Sequence, residues 1–258
     1  MIVQIYEIQT AREAETMVEL GVDHVGSVVL SADYCRDAEL KNAVRRVQAA
    51  GRKSSLIPLL DQIDALSQAV DFYRPDIVHL CETLPGEILP GRLGDSIDTE
   101  RIIKRQRALK ERFPEIEFMR SIPIGRKGQG DVIPSLAYGT LFEPWSDWFL
   151  TDTLLSHQNI ATDLDQPVEG YVGITGLTCD WEIAAELVRQ SKIPVILAGG
   201  IGPENVAGAI RSVCPAGVDS CTLTNAMDSS GKARRFQKDP AKVKMMIQNA
   251  RKAIDIQQ

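Results

Sequence analysis

The order of apolar runs along this 258-residue chain predicts an α/β protein folded as a single (β/α)₈ TIM barrel. Three observations carry the prediction. About eight short β-branched runs alternate with longer stretches whose apolar positions recur at helical spacing. The length suits one barrel rather than two or three small domains. No GxGxxG follows the first strand, which removes the commonest dinucleotide-binding version of the competing open sheet.

The elements follow in order. A strand at 3–8 and a helix at 11–20 make the first pair, and a strand at 24–30 with a helix at 38–49 the second. The third pair is 55–60 and 66–72. A fourth strand at 76–81 leads through a Pro/Gly-rich loop at 84–94 into a charged helix at 99–112. Strands at 117–122 and 147–151 come next, then a helix at 181–189, a strand at 194–198, a helix at 206–213 and a strand at 217–222. An amphipathic helix at 241–254 closes the chain. Residues 125–145, rich in Gly and Pro, read as an excursion near the barrel mouth. No linker composition marks a second domain, so the expectation is one domain over 1–258 with a longer irregular region at about 84–145.

Composition narrows the function. A formal net charge of -6 argues against general electrostatic binding to nucleic acid or to an anionic membrane surface. No apolar run approaches the roughly 18 residues a membrane helix needs. The five cysteines are scattered and form no CxxC pair, so neither a secreted disulfide framework nor a zinc finger is indicated. A cytoplasmic location is the expectation.

In a barrel, chemistry gathers at the C-terminal ends of the strands. That rule selects Tyr6 and Glu7, the stretch from His79 to Glu82, Arg120, Asp152, Gly199 and Gly200, and the stretch from Cys221 to Thr224. The clearest local signal is LAGGIGPENV at 197–206. Two glycines end a buried strand and Pro203 stands where a helix would start. Such glycines let an anion approach backbone N–H groups at a helix N-terminus, and they equally serve a tight βα turn. The first option makes this a barrel of the phosphate-binding type.

Several segments together resemble the phosphoribosylanthranilate isomerase family. IPVILAGGIGPENVAGAIRSVCPAGVDS is similar to the family's seventh-to-eighth-strand region, WFLTDT to its sixth strand, and GITGLTCDW to its GGTGxTFDW loop. At the front, IYEIQTAREAETMVELGVDHVGSVV follows its first strand, helix and second strand, HLCE falls where the family has QLHG, and GK…KDPAKV resembles its closing segment. The resemblance covers both ends of the chain and leaves out the middle. It implies a step of tryptophan biosynthesis: a cofactor-free Amadori rearrangement of a phosphoribosyl amine from aldose to ketose. In that chemistry an acid protonates the ring oxygen and a base removes the C2 proton, and such general acid–base catalysis is typically worth about 10²–10⁴-fold.

The resemblance places Asp152 at the general acid. The family's base is the cysteine of KICGIT, and Tyr6 stands there instead. A tyrosine is about 30-fold less ionised than a cysteine at neutral pH, and its bulk suits packing. Glu7 replaces a glycine and is a candidate base if burial raises its pKa; exposure to solvent is the competing expectation. The resemblance also implies substrate contacts from Arg36, His79, Cys81, Arg120, Thr175 and Gly176. Arg36 stands one residue from the family's carboxylate-binding arginine, and the loop's lysine is Leu177 here. Phosphate contacts fall on Gly199, Gly200, Cys221 and Thr222, with Leu223 in place of a glycine. The implied partner is a small phosphorylated substrate, with the protein a monomer or homodimer and no cofactor or metal. Two alternatives stay open: a non-catalytic phosphosugar-binding barrel, and a metal-dependent enzyme built on His79, Cys81, Glu7 and Asp152, of which His79 and Cys81 share one strand face.

Overall fold

Local signals set the ends of the elements. Thr10 accepts a hydrogen bond from Glu13 N while the Glu13 side chain reaches back to the Thr10 N–H, a capping box that starts α1 (Ala11–Leu20). Gly21, left-handed at φ 90°, ends it by donating to the Met17 and Val18 carbonyls. Asp37 caps α2 (Ala38–Ala49) in the same way through Leu40 N.

The computed structural model describes residues 1–84, 97–128, 133–155 and 170–255. Its strands are β1 (Ile2–Ile5), β2 (His24–Val29), β3 (Lys53–Pro58), β4 (Ile77–Leu80), β5 (Glu117–Ile124), β6 (Trp148–Thr153), β7 (Val195–Leu197) and β8 (Gly217–Ser220). They close into one parallel barrel in chain order, and β1 pairs with β8 in the register Gln4 opposite Asp219. The remaining helices are α3 (Ile63–Tyr73), α4 (Ile97–Arg112), α5 (Ser135–Phe142), α6 (Trp181–Gln190), α7 (Val206–Val213) and α8 (Pro240–Asp255). The expected (β/α)₈ barrel is the observed fold.

Two elements were not expected. The Gly/Pro-rich stretch at 125–145 contains α5, whose residues SLAYGTLF are apolar on nearly every side and so carry no helical stripe. A hairpin of β9 (Asn225–Met227) and β10 (Ala233–Lys238) is inserted between β8 and α8. The loop expected at 84–94 lies outside the described residues apart from Leu84.

Alternate strand residues face the helical shell or the barrel interior. Val3, Ile5 and Val218 pack outward against α1, α7 and α8. Val78, Leu80 and Phe118 pack outward against α3 and α4. Tyr6, Ile77, Met119, Leu150, Ile196 and Ala198 fill the interior. That interior is also wired by polar groups, as burial requires. The Tyr6 hydroxyl lies 2.6 Å from Ser55 Oγ and 2.8 Å from His79 Nδ1, and His79 Nε2 lies 2.8 Å from Ser121 Oγ. Gly26 makes room for the Tyr6 ring: a Cβ there would stand 2.1 Å from Cδ1 of Tyr6. The tyrosine therefore belongs to a packed layer in which every side chain has a partner.

Candidate active site

The mouth formed by the C-terminal strand ends holds two adjoining pockets. Val28, Ile57, Leu59, Leu150 and Val172 give the first an apolar wall around about 570 Å³ of empty space, its open mouth included. The second is a half-open depression lined by Thr175, Gly176, Gly199, Gly200, Ser220 and Thr222 among others. Its lining contains no lysine or arginine, so backbone N–H groups and hydroxyls are its donors. Asp152, Ile174, Asp219 and Cys221 line both.

β6 carries Asp152 inward, on the same face as Leu150. The segment returning at 170–179 folds across it. Val172 N donates to the Cys81 carbonyl at 2.9 Å and Thr83 N to the Gly170 carbonyl at 2.8 Å, which ties the segment to the end of β4. Gly173, at φ 108°, lies so close that a Cβ would stand 2.1 Å from Asp152 Oδ2, and only glycine fits both demands. Burial pushes the Asp152 carboxyl up to about 7, with the Thr153 N–H pulling weakly the other way. Near neutrality it therefore keeps a substantial protonated fraction, with a proton to give.

Glu7 is also buried, yet its electrostatics run in the opposite direction. Arg235 reaches Glu7 Oε1 at 2.6 Å through Nη2, Phe236 N donates to Oε2 at 3.2 Å, and Lys238 Nζ lies 3.9 Å away. Burial alone would raise this carboxyl, but the charges of Lys238 and Arg235 outweigh it and hold the pKa below the usual value. Glu7 anchors β10 over the barrel, in place of the raised pKa expected of a base. The group's pKa is lower folded than unfolded, so its contribution is present above about pH 4.5 and is lost as pH falls through the folded value. Between pH 5 and 3 the melting midpoint of the unmodified protein should therefore fall further than that of Glu7→Gln. Parallel falls in thermal melts would refute the pairing.

The other expected site residues divide. Tyr6 lines the apolar pocket, and burial raises its phenol well above its ordinary value, so it stays neutral. His79 and Cys81 share the inward face and line the same pocket. Burial and the charge of Arg120 lower His79 to about 3, leaving a neutral imidazole, and burial raises the Cys81 thiol. Thr175, Gly176, Gly199, Gly200, Cys221 and Thr222 do converge on the second pocket. Arg36 is exposed beyond the turn Ala32–Tyr34 and lines neither pocket.

Arg120 is misplaced by the sequence reading. Met119 and Ser121 point inward, so Arg120 points outward, fully buried, with Nη1 2.8 Å from Glu82 Oε2 and Nη2 2.6 Å from Gln106 Oε1. Its position within the strand excludes a contact with anything in the mouth. The sequence reading missed Asp219, although its place two residues before Cys221 on one strand was the available signal. Arg235 and Lys238 were missed because the hairpin itself was. Among the described residues no three His, Cys, Asp or Glu side chains converge as metal ligands, and no helix is long and apolar enough to cross a membrane.

Comparison with known proteins adds the following. Residues 154–249 match the family model for N-(5'phosphoribosyl)anthranilate (PRA) isomerase. An N-(5'-phosphoribosyl)anthranilate isomerase from Methanosarcina acetivorans is 39% identical over 88 residues, 34% of each chain. The isomerase of that name from Natronomonas pharaonis is 27% identical over 222 residues, 84% of this chain and 85% of the relative. The first of these alignments thus spans about a third of its relative, and the second most of it. Among solved structures, phosphoribosyl anthranilate isomerase from Thermotoga maritima superposes with a TM-score of 0.64 at 20% identity, covering 98% of this chain and 100% of that one. A complex of phosphoribosyl anthranilate isomerase with reduced 1-(o-carboxyphenylamino)-1-deoxyribulose 5-phosphate superposes with a TM-score of 0.63, also at 20% identity and with the same coverage.

Proposed function

We propose that this chain, which is similar to the phosphoribosylanthranilate isomerase family, is a cofactor-free isomerase of a phosphorylated N-glycosylamine. Phosphoribosylanthranilate, in tryptophan biosynthesis, is the first substrate to test. The observation that carries this reading is Asp152: a buried carboxyl whose pKa is raised toward neutrality, standing between an apolar pocket and a glycine-lined one. A phosphate would occupy the glycine-lined pocket, where the buried Ser220 hydroxyl has no hydrogen-bond partner among the described residues. The N-substituent would lie in the apolar pocket, which places the sugar carbons between the two. From there Asp152 protonates the ring oxygen as the C1–O bond breaks, and the amine nitrogen's lone pair closes the C1=N bond.

The test is turnover of phosphoribosylanthranilate, followed by loss of anthranilate-type fluorescence, beside thermal melts with inorganic phosphate. Turnover is expected, together with a phosphate-dependent rise in melting midpoint that Ser220→Ala reduces, because a ligand of the native state alone stabilises it. A phosphate shift without turnover would instead favour a phosphosugar-binding barrel. Neither response would sink both readings.

A further inference from the structure

We propose that Asp219 is the base that removes the C2 proton in this reaction. The inference rests on the isomerase reading and names the group that stands in for the cysteine this chain lacks.

If phosphate and N-substituent occupy the two pockets, C1 and C2 pass the residues that line both. Those are Asp152, Ile174, Asp219 and Cys221. Ile174 has no titratable group, and burial raises the Cys221 thiol far from the ionised form. Two carboxyls remain, and a reaction that needs an acid and a base at adjacent atoms needs two groups.

Asp219 is also held as a base should be. Gln4 Nε2 donates to Oδ1 at 3.2 Å, and Gln4 Oε1 lies 3.2 Å from Nδ1 of His24, so the carboxylate is oriented by a neutral amide that is itself fixed. Oδ2 has no hydrogen-bond partner among the described residues. Glu7 differs in both respects, since two cations claim its oxygens.

The charged and titratable groups that face Asp219 are Asp152 from β6, Tyr6 from β1, Lys238 from β10 and Cys221 beyond β8. Burial, and then the charge of Asp152, push Asp219 up to about 8, while the Gln4 N–H and Lys238 pull it down. The two aspartates give up their protons in steps that belong to the pair. Between those two steps the pair holds one proton and one negative charge, and Gln4 and Lys238 are the partners that stabilise the charge when it is on Asp219.

The proton and electron movements close. After ring opening, the Asp219 carboxylate takes the C2 proton. The C–H electrons become C1=C2, and the C1=N pair returns to nitrogen. The enol hydroxyl then gives its proton to the Asp152 carboxylate as the carbonyl forms at C2. Asp219 protonates C1, and both residues are back in their starting states.

Asp219→Asn should lower kcat for phosphoribosylanthranilate by about 10²-fold or more, with a phosphate-dependent melting shift still present. Asp219→Glu should recover part of the loss. The variant should also stop exchange of the product's C1 hydrogens in deuterium oxide, followed by NMR. Turnover within about three-fold of the unmodified protein, or undiminished C1 exchange, would overturn the base while leaving the isomerase reading in place. Absence of turnover in the unmodified protein would overturn that reading and the base together.

Discussion

Asp152→Asn is expected to lower kcat/KM for phosphoribosylanthranilate by about 10²–10⁴-fold and, in the same protein, to raise the melting midpoint at pH 8. The first effect follows from losing the proton donor at the ring oxygen. The second follows from linkage. A carboxyl whose pKa rises on folding contributes most below its unfolded value, and that contribution is lost as pH rises through the folded value, about 7 here. At pH 8 the unmodified protein holds a desolvated carboxylate that accepts from the Thr153 N–H, and asparagine removes the charge. The stabilisation should fade toward pH 5, where both forms are neutral. An Asp152 that merely capped a turn would lose stability on substitution at every pH. Melts of the two proteins from pH 5 to 8 therefore separate a catalytic acid from a structural one, independently of the assay. A site group kept at a cost in stability is a common trade in enzymes.

Arg120→Leu is expected to be the most damaging single change to stability, by about 3–5 kcal/mol, because it breaks a fully buried ion pair from one side. Arg120 is completely inaccessible, and its guanidinium gathers Glu82 and Gln106 while stacking 4.8 Å from the centre of the Phe142 ring. Its removal leaves Gln106 Oε1 without its buried donor and Glu82 with Arg105, at 2.5 Å, as its remaining cation among the described residues. For a chain of this size each kcal/mol moves the midpoint by roughly 2–4 °C, so a drop on the order of 10 °C should appear in a thermal melt. A drop of less than about 3 °C by the same conversion would mean that Arg105 suffices and that the cluster does not lock β4 and β5 to α4. The same result would return Arg120 to the residues in need of another role.

The barrel was legible in the sequence because its determinants are local. Capping residues such as Thr10 and Asp37, the glycine after α1 and the spacing of apolar positions act within a few residues, and the expected helices at 11–20, 38–49 and 206–213 are the observed ones. Asp152 was legible too, since WFLTDT alternates in and out along one strand and its end must face the mouth. Where local signal failed, a physical reason is at hand. α5 is apolar nearly all round and has no stripe to find. The hairpin carries charged, largely exposed residues whose purpose appears only at the far end of the chain, where Arg235 meets Glu7.

By itself, then, the sequence determined the class of fold, the strand ends that build the mouth and the loss of the expected cysteine. Only the tertiary structure separates two acidic groups that the sequence leaves alike. Glu7 and Asp219 are both buried carboxyls, and nothing local to either distinguishes them. Their difference comes from contacts 228 residues away in one case and 215 in the other: a guanidinium that holds Glu7 ionised, and a neutral amide that holds Asp219 in place. A pKa is set by the charges and solvent around a group, and in a closed barrel those neighbours come from strands far apart in the chain.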